Sequence, residues 1–323
     1  MKQGISIIVP LFNEEENVPI FAERLRMVLE SGQDNFEVIF VDDGSTDHTF
    51  DRVRDEHKKD ERFQGIRFRK NCGQTAAIKA GIEQANLEIC ITMDGDLQHA
   101  PEQIPEFIDK MKEGYDLVCS YRFQRDDAFI RRFPSKVANA IARRFSGLAI
   151  QDFGSTYRAY RTELAREIPI YGEMHRFIPV FMAMQTSHIT ELPIKLQPRI
   201  HGTSNYGFGR TFRVLSDLVL LLFFSGFFNR PIHIFGYISV LTGVPGFLIL
   251  GWLSIGKLSG MLVIMDYQPM FFLGVLLCLF AGQMFTTGIV CEYLIRIYYG
   301  GGSRSGSQKP YSIMESTFDE GLR

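Results

Sequence analysis

From residue 5 to about residue 121, short β-branched runs alternate with amphipathic stretches. Runs at 5–10, 36–41, 63–68, 87–93 and 117–121 read as strands, while 15–31, 46–59, 73–85 and 102–112 carry apolar positions at helical spacing. Alternation of this kind predicts an α/β domain built on a mostly parallel sheet with helices on both faces. Ligands of such sheets sit outside the carboxyl ends of the strands, so functional groups are expected just after each strand. A helix from residue 161 and a strand at 189–196 continue the domain to about residue 206.

Beyond that point the pattern changes. Residues 207–230 mix Arg210 and Arg213 with the apolar run 218–224, as helices lying in a lipid headgroup layer do. Residues 232–255 and 270–291 contain no Asp, Glu, Lys or Arg, and each exceeds the roughly 20 residues that cross a bilayer. They predict a transmembrane hairpin over 231–295, and residues 296–323 a flexible polar tail. Arg210, Arg213 and Arg230 precede the first span and Arg296, Arg304 and Lys309 follow the second, against Lys257 alone near the connecting loop. The positive-inside rule then places both termini and the catalytic domain in the cytoplasm, on a multi-pass protein of the inner membrane.

Composition narrows the classes. A formal charge of -2 gives no electrostatic case for nucleic acid, and 28 Phe fit membrane contact better than base stacking. Five cysteines, an odd count with no C-x-x-C spacing, read as buried apolar side chains in a reducing compartment. No signal peptide is expected, because the first strand begins almost at once. Oligomeric state is left open, a homo-oligomer included.

The candidate chemistry lies at strand ends. Asp94-Gly95-Asp96-Leu97-Gln98 follows the strand at 87–93; residues two apart point the same way, so both carboxylates can meet one hard cation, with the Gln98 amide oxygen in reach. Mg²⁺ or Mn²⁺ suits such oxygen ligands and is commonly shared with substrate phosphates. A solvated turn is the plain alternative. Pro10-Leu11-Phe12-Asn13-Glu14 stands where a dinucleotide fold would carry G-x-G-x-x-G, which disfavours NAD chemistry. Asn13 and Glu14 there either contact a nucleotide or start a helix. In Asp42-Asp43-Gly44-Ser45-Thr46-Asp47 a carboxylate can accept from a uracil or ribose donor, or the segment simply turns the chain. Asn71-Cys72-Gly73-Gln74 opens a helix whose free N–H groups either face a diphosphate or are capped. The basic stretch 122–144 holds Arg122, Arg131, Ser135 and Lys136. Arg131 and Ser135 share a helical face, giving either a solvated surface or an anion clamp.

The ordered motifs Pro10-x-x-Asn13-Glu14, Asp42-Asp43-Gly44-Ser45-x-Asp47 and Asp94-x-Asp96-Leu97-Gln98 resemble the inverting family 2 glycosyltransferases of the GT-A fold. More narrowly, nearly the whole chain resembles the polyprenyl-phosphate glycosyltransferases, relatives of dolichyl-phosphate mannose synthase and of bacterial undecaprenyl-phosphate glucosyltransferases. The resemblance implies a UDP-sugar donor, glucose foremost, and a membrane polyprenyl phosphate acceptor. It assigns Pro10, Asn13, Glu14, Asp42, Gln74, Asp94 and Gly95 to the nucleotide, and Asp94, Asp96 and Gln98 to the metal on its diphosphate. The lipid phosphate falls to Arg122, Arg131, Ser135 and Lys136. Asp152, in Asp152-Phe-Gly-Ser155-Thr-Tyr157-Arg158, is implied to orient the reacting groups, although Thr156 and Tyr157 depart from the family pattern. Arg199 is left as the main cation of a loop closing over the diphosphate, because Asn205 replaces the usual Lys. Gly95 stands where many relatives have Ala, a difference expected to matter little. Two competing readings are a processive polysaccharide synthase, disfavoured because the sole tryptophan, Trp252, lies inside a span, and a non-catalytic membrane scaffold.

Overall fold

The computed structural model describes residues 2–32, 34–122, 150–168, 170, 172, 174–197, 231–300 and 313–317. The chain divides into two units, Met1–Leu221 with Gln308–Arg323, and Leu222–Ser307.

In the first unit, β1 (Lys2–Leu11), β2 (Phe36–Asp42), β3 (Phe63–Phe68), β4 (Leu87–Thr92), β5 (Leu117–Arg122), β6 (Arg158–Arg161), β7 (Ile189–Ile194) and β8 (Ile313–Ser316) form one eight-stranded sheet in the order β7-β5-β6-β4-β1-β2-β3-β8. Helices α1 (Asn17–Glu30), α2 (Thr49–Lys59), α3 (Gln74–Gln84) and α4 (Ile104–Lys112) make the crossovers. Shorter α5 (Thr162–Glu167) and α6 (Ile178–Ala183) follow β6. The expected strands and crossovers are all present, with bounds shifted by a few residues. β1 pairs in parallel with both β2 and β4. The crossovers therefore reverse direction there, which leaves a crevice beyond the carboxyl ends of those strands.

Alternate side chains explain the core. Ile5, Ile7, Val9 and Leu11 on β1 and Val38 and Phe40 on β2 point to one face, against Phe21 and Leu25 of α1, Phe50 and Val53 of α2, and Phe107 of α4. At roughly 1.5–3 kcal/mol for each large apolar side chain buried, this layer is what fixes the strand ends in place. Ile8 lies on the other face beneath α3, where a Cβ on Gly81 would come 2.3 Å from its Cγ2.

Two strands depart from expectation. β6 lies between β4 and β5 and is antiparallel to both, so the sheet is mixed although mostly parallel. The tail expected to be flexible from 296 onward instead carries helix to Gly300 and then β8, which pairs antiparallel with β3. Its neighbour Thr317 closes the edge, its N–H donating to Gly65 O at 2.9 Å while its Oγ1 accepts from Gly65 N at 2.7 Å. Arg54 Nε donates to Glu315 at 2.7 Å. The physical reason is the edge itself: without β8, one side of β3 would present unpaired N–H and C=O groups.

In the second unit, α7 (Pro231–Leu258) and α8 (Gln268–Gly300) form an antiparallel hairpin. Both are long and apolar enough to cross a membrane, over Ile232–Leu258 and Met265–Leu294. Gly243 against Ala281 and Gly246 against Cys278 let the backbones approach. The interfacial helices expected at 207–230 lie outside the described residues.

Candidate functional site

The loops after β1, β2 and β3 are stitched into one surface. Asn13 holds a left-handed backbone, φ 57°, a conformation Asn tolerates better than most side chains. Its N–H donates to Ser45 Oγ at 2.9 Å, and its Oδ1 accepts from Thr46 N at 2.9 Å. Glu14 N–H donates to Thr49 Oγ1 at 2.8 Å. Asn13 is thus a strut between two loops, and α1 starts later, at Asn17. Pro10 lies in β1, opposite Val41.

Asp42 and Asp43 sit beneath this surface. Asp42 ends β2 in register with Leu11 and Arg67 and is fully buried. Its Oδ1 accepts from Ser45 N at 2.8 Å. Its Oδ2 lies 3.4 Å from Arg67 Nε without a hydrogen-bond partner. Burial raises its pKa, against the lowering pull of Ser45 and Arg67. Asp43, also raised by burial, accepts from Cys72 N at 2.6 Å and Gly73 N at 2.9 Å. Of the two readings of this helix opening, facing a diphosphate or being capped, these two amides take the second. The third-strand loop needed them to close onto the second.

A raised carboxylate pKa carries a sign. The native state favours the protonated form, so the contribution to stability is present below the ordinary carboxylate range and is lost as pH rises through the native value. Asp42→Asn is therefore expected to raise the melting midpoint at neutral pH, an advantage that vanishes on acidification. If the carboxylate serves the donor, the same variant raises the donor KM; an unchanged KM removes Asp42 from the nucleotide site.

After β4 comes the acidic turn. Gln74, the first residue of α3, donates from Nε2 to Asp94 Oδ1 at 2.7 Å. Asp94 N–H reaches the buried His99 Nδ1 at 3.2 Å. Asp96 Oδ1 accepts from Gln98 N at 3.1 Å, and Gln98 O accepts from Gln197 N at 2.9 Å. The tight point is Leu97, φ 61°, rather than Gly95. A Cβ on Gly95 would meet Leu11 Cδ2, the tip of a buried side chain that would have to shift, and Val9 Cγ1 at 3.2 Å. Among the described residues no three His, Cys, Asp or Glu side chains gather as a metal cage. The turn offers Asp94 and Asp96, a donor set that suits a hexacoordinate hard ion also held by substrate oxygens and water.

Across the sheet, Arg122 at the end of β5 grips Asp152 with two bonds, Nε to Oδ2 at 2.6 Å and Nη2 to Oδ1 at 3.1 Å. Gly154 N also donates to Asp152, at 3.0 Å. Arg122, assigned from the sequence to an acceptor phosphate, is thereby joined to the residue assigned to orient the reaction. Glu191 on β7 accepts from Gln151 N at 2.8 Å and is raised in pKa chiefly by burial. It escaped notice because one Glu in a half-polar strand carries no pattern. The fully buried Arg158 had a visible signal, a charge within the run Tyr157–Tyr160. Arg131, Ser135, Lys136 and Arg199 lie outside the described residues.

Comparison with known proteins follows the same lines. A sequence model described as Glycosyl transferase family 2 matches residues 6–169. The dodecaprenyl-phosphate galacturonate synthase of Rhizobium johnstonii is 37% identical over 322 residues, covering 98% of this chain and 93% of that protein. The undecaprenyl-phosphate 4-deoxy-4-formamido-L-arabinose transferase of Pseudomonas syringae pv. syringae is 33% identical, over 91% of this chain and 86% of that one. In fold, the chain is similar to glucosyl-3-phosphoglycerate synthase from Mycobacterium tuberculosis, solved with Mn²⁺, UDP and phosphoglyceric acid, at TM-score 0.55 and 18% identity over 68% of this chain and 78% of that one.

Proposed function

This chain belongs to glycosyl transferase family 2, among its polyprenyl-phosphate glycosyltransferases, and on that premise we propose that it transfers a modified sugar from a UDP donor to a polyprenyl phosphate, inverting the anomeric carbon. Galacturonate is the first candidate and 4-deoxy-4-formamido-L-arabinose the second, in place of the glucose expected from the sequence; two relatives that span most of the chain carry those sugars in their names.

One observation carries the reading: Gln74 holds Asp94 at the mouth of the β1–β4 crevice, with the buried Asp42 two strands away at the same sheet end. Asp94 and Asp96, with Gln98 beside them, would hold a divalent cation, which when bound would supply positive charge against the departing diphosphate. Gln74 keeps the Asp94 carboxylate aimed, Asn13 and Glu14 hold the nucleotide loops together, and Pro10 and Gly95 give the backbone its close approach. Across the cleft, Arg122 keeps Asp152 oriented. A phosphate monoester acceptor, with a second pKa of about 6, is already largely ionised near neutral pH and needs no strong base. Positioning and charge are then the main contributions of the protein. Arg131, Ser135 and Lys136 remain our candidates for the lipid phosphate and Arg199 for the diphosphate.

Two helices long and apolar enough to cross a membrane support a membrane setting for this chemistry. A chain that leaves the sheet, crosses twice and returns as β8 has both ends of the hairpin on one face, and the Lys and Arg bias makes that face cytoplasmic. Residues 1–206 are our candidate catalytic domain and 231–295 the hairpin, with β8 rejoining the sheet.

The test is direct. Detergent-solubilised protein, Mg²⁺ or Mn²⁺ and undecaprenyl phosphate are incubated with labelled UDP-galacturonate, UDP-4-deoxy-4-formamido-L-arabinose, UDP-glucose or GDP-mannose. Labelled lipid from the first two, dependent on the cation, is expected. Lipid labelled from GDP-mannose alone, or from none, overturns the reading.

A further inference from the structure

The Asp152 loop and the Asp94 turn are joined through the protein interior by hydrogen bonds that alternate with steps along the chain. β6 begins at Arg158, in register with Thr92 of β4 and Cys119 of β5, so its side chain enters the layer just beneath both strand ends. Arg158 is 1% exposed. It makes no ion pair among the described residues, and its charge rests on backbone carbonyls: Nη1 donates to His175 O at 2.8 Å and Nη2 to Phe153 O at 2.7 Å. Phe153 directly follows Asp152. His175 is pinned in turn to the first turn of α3, Thr75 Oγ1 meeting its Nδ1 at 2.8 Å and its N–H at 3.3 Å. Thr75 directly follows Gln74, which holds Asp94.

The protonation states are consistent along the line. Burial, with Arg176 and Arg158 nearby, lowers the His175 pKa to about 3. The ring is therefore neutral at physiological pH. In either ring tautomer Thr75 Oγ1 and Nδ1 share one hydrogen bond, while the same oxygen accepts from the His175 N–H. An arginine buried with no ion pair among the described residues is a costly way to fill space. Its fork instead fixes two carbonyl oxygens at one separation, which an aliphatic side chain cannot do.

We propose that Arg158, His175 and Thr75 form an internal brace that sets the spacing between the Asp152–Arg122 pair and the Gln74–Asp94 pair, and so between acceptor-side and donor-side groups. These three are positioning residues and touch no substrate. The proposal rests on the roles given above to Asp94, Asp152 and Arg122.

A double-mutant cycle tests it. Thr75→Val deletes the hydroxyl while keeping the shape, and Arg122→Lys loosens the far end. Each alone is expected to lower kcat about tenfold or more with donor KM within about twofold, because misplacing reacting groups costs rate rather than ground-state binding. Both act through the orientation of Asp152, so the double variant should be no more than about twofold slower than the slower single. Arg158→Lys, which keeps the charge but reaches one carbonyl only, should lose about 10²-fold in kcat. A double variant whose losses multiply overturns the brace, since Thr75 then serves only its own side. Full turnover in Arg122→Lys overturns the reading of the site itself, a separate and recognisable failure that removes the brace with it.

Discussion

Asp94→Asn is expected to lower kcat by about 10³-fold or more while leaving the melting midpoint nearly unchanged, because it removes charge at the developing diphosphate without disturbing the fold. The amide keeps an oxygen for Gln74 Nε2, now at 2.7 Å, and the backbone bond to His99 is untouched. What disappears is the negative charge, and with it the hold on a divalent cation. Chelation supplies the independent arm: the wild type stripped of divalent ions should fall to the rate of the variant, and chelating the variant should change little further. Asp96→Ala should fall as far, although its bond to Gln98 N makes some local loosening of the turn expected too. Steady-state rates with a thermal melt on the same preparations decide the matter. A variant retaining a tenth of wild-type turnover, or a chelated wild type as fast as before, removes the cation from the mechanism.

The strands and crossovers could be read in advance because burial imposes a period on the sequence, and every element of β1 to β5 shows it. The acidic strand ends were legible for the same reason, since a charge cluster after an apolar run has few other causes. β6 was not, because four residues running straight into a helix are too short to show alternation, and its direction depends on pairing with strands far away in sequence. β8 was hidden among polar residues, its cause lying in the open edge of β3 rather than in its own composition. The close approach of Gly95 to Leu11 and Val9 depends on the register of β1 against β4. The partnership of Arg122 with Asp152 spans 30 positions, and only the antiparallel insertion of β6 brings its two loops together. Sequence marked the candidate residues, and tertiary structure decided which of them faced each other.

Asp152→Asn is expected to lower kcat by about 10²–10³-fold with little change in donor KM, the loss coming from orientation of the acceptor-side groups. Asp152 is nearly buried and is gripped by Arg122 through two charge-assisted bonds. Removing its charge leaves the guanidinium without an anion and costs stability, on the order of 2–3 kcal/mol. The melt should therefore shift here, unlike for Asp94→Asn. The pH profile separates orientation from base catalysis. If Asp152 only orients, the rising limb of log kcat reports the acceptor phosphate, with an inflection at about pH 6, and the variant keeps that inflection at a lower plateau. If Asp152 were the base, the variant would lose its own ionisation from the profile and the limb would change shape. Arg122→Lys provides the cross-check: one of the two bonds to the carboxylate is lost while positive charge stays nearby, so the rate should fall less than in Asp152→Asn and the inflection should again stay put. A profile that flattens in Asp152→Asn would turn the carboxylate from an orienting group into a proton acceptor, and the bidentate arginine would then be a restraint the reaction has to overcome.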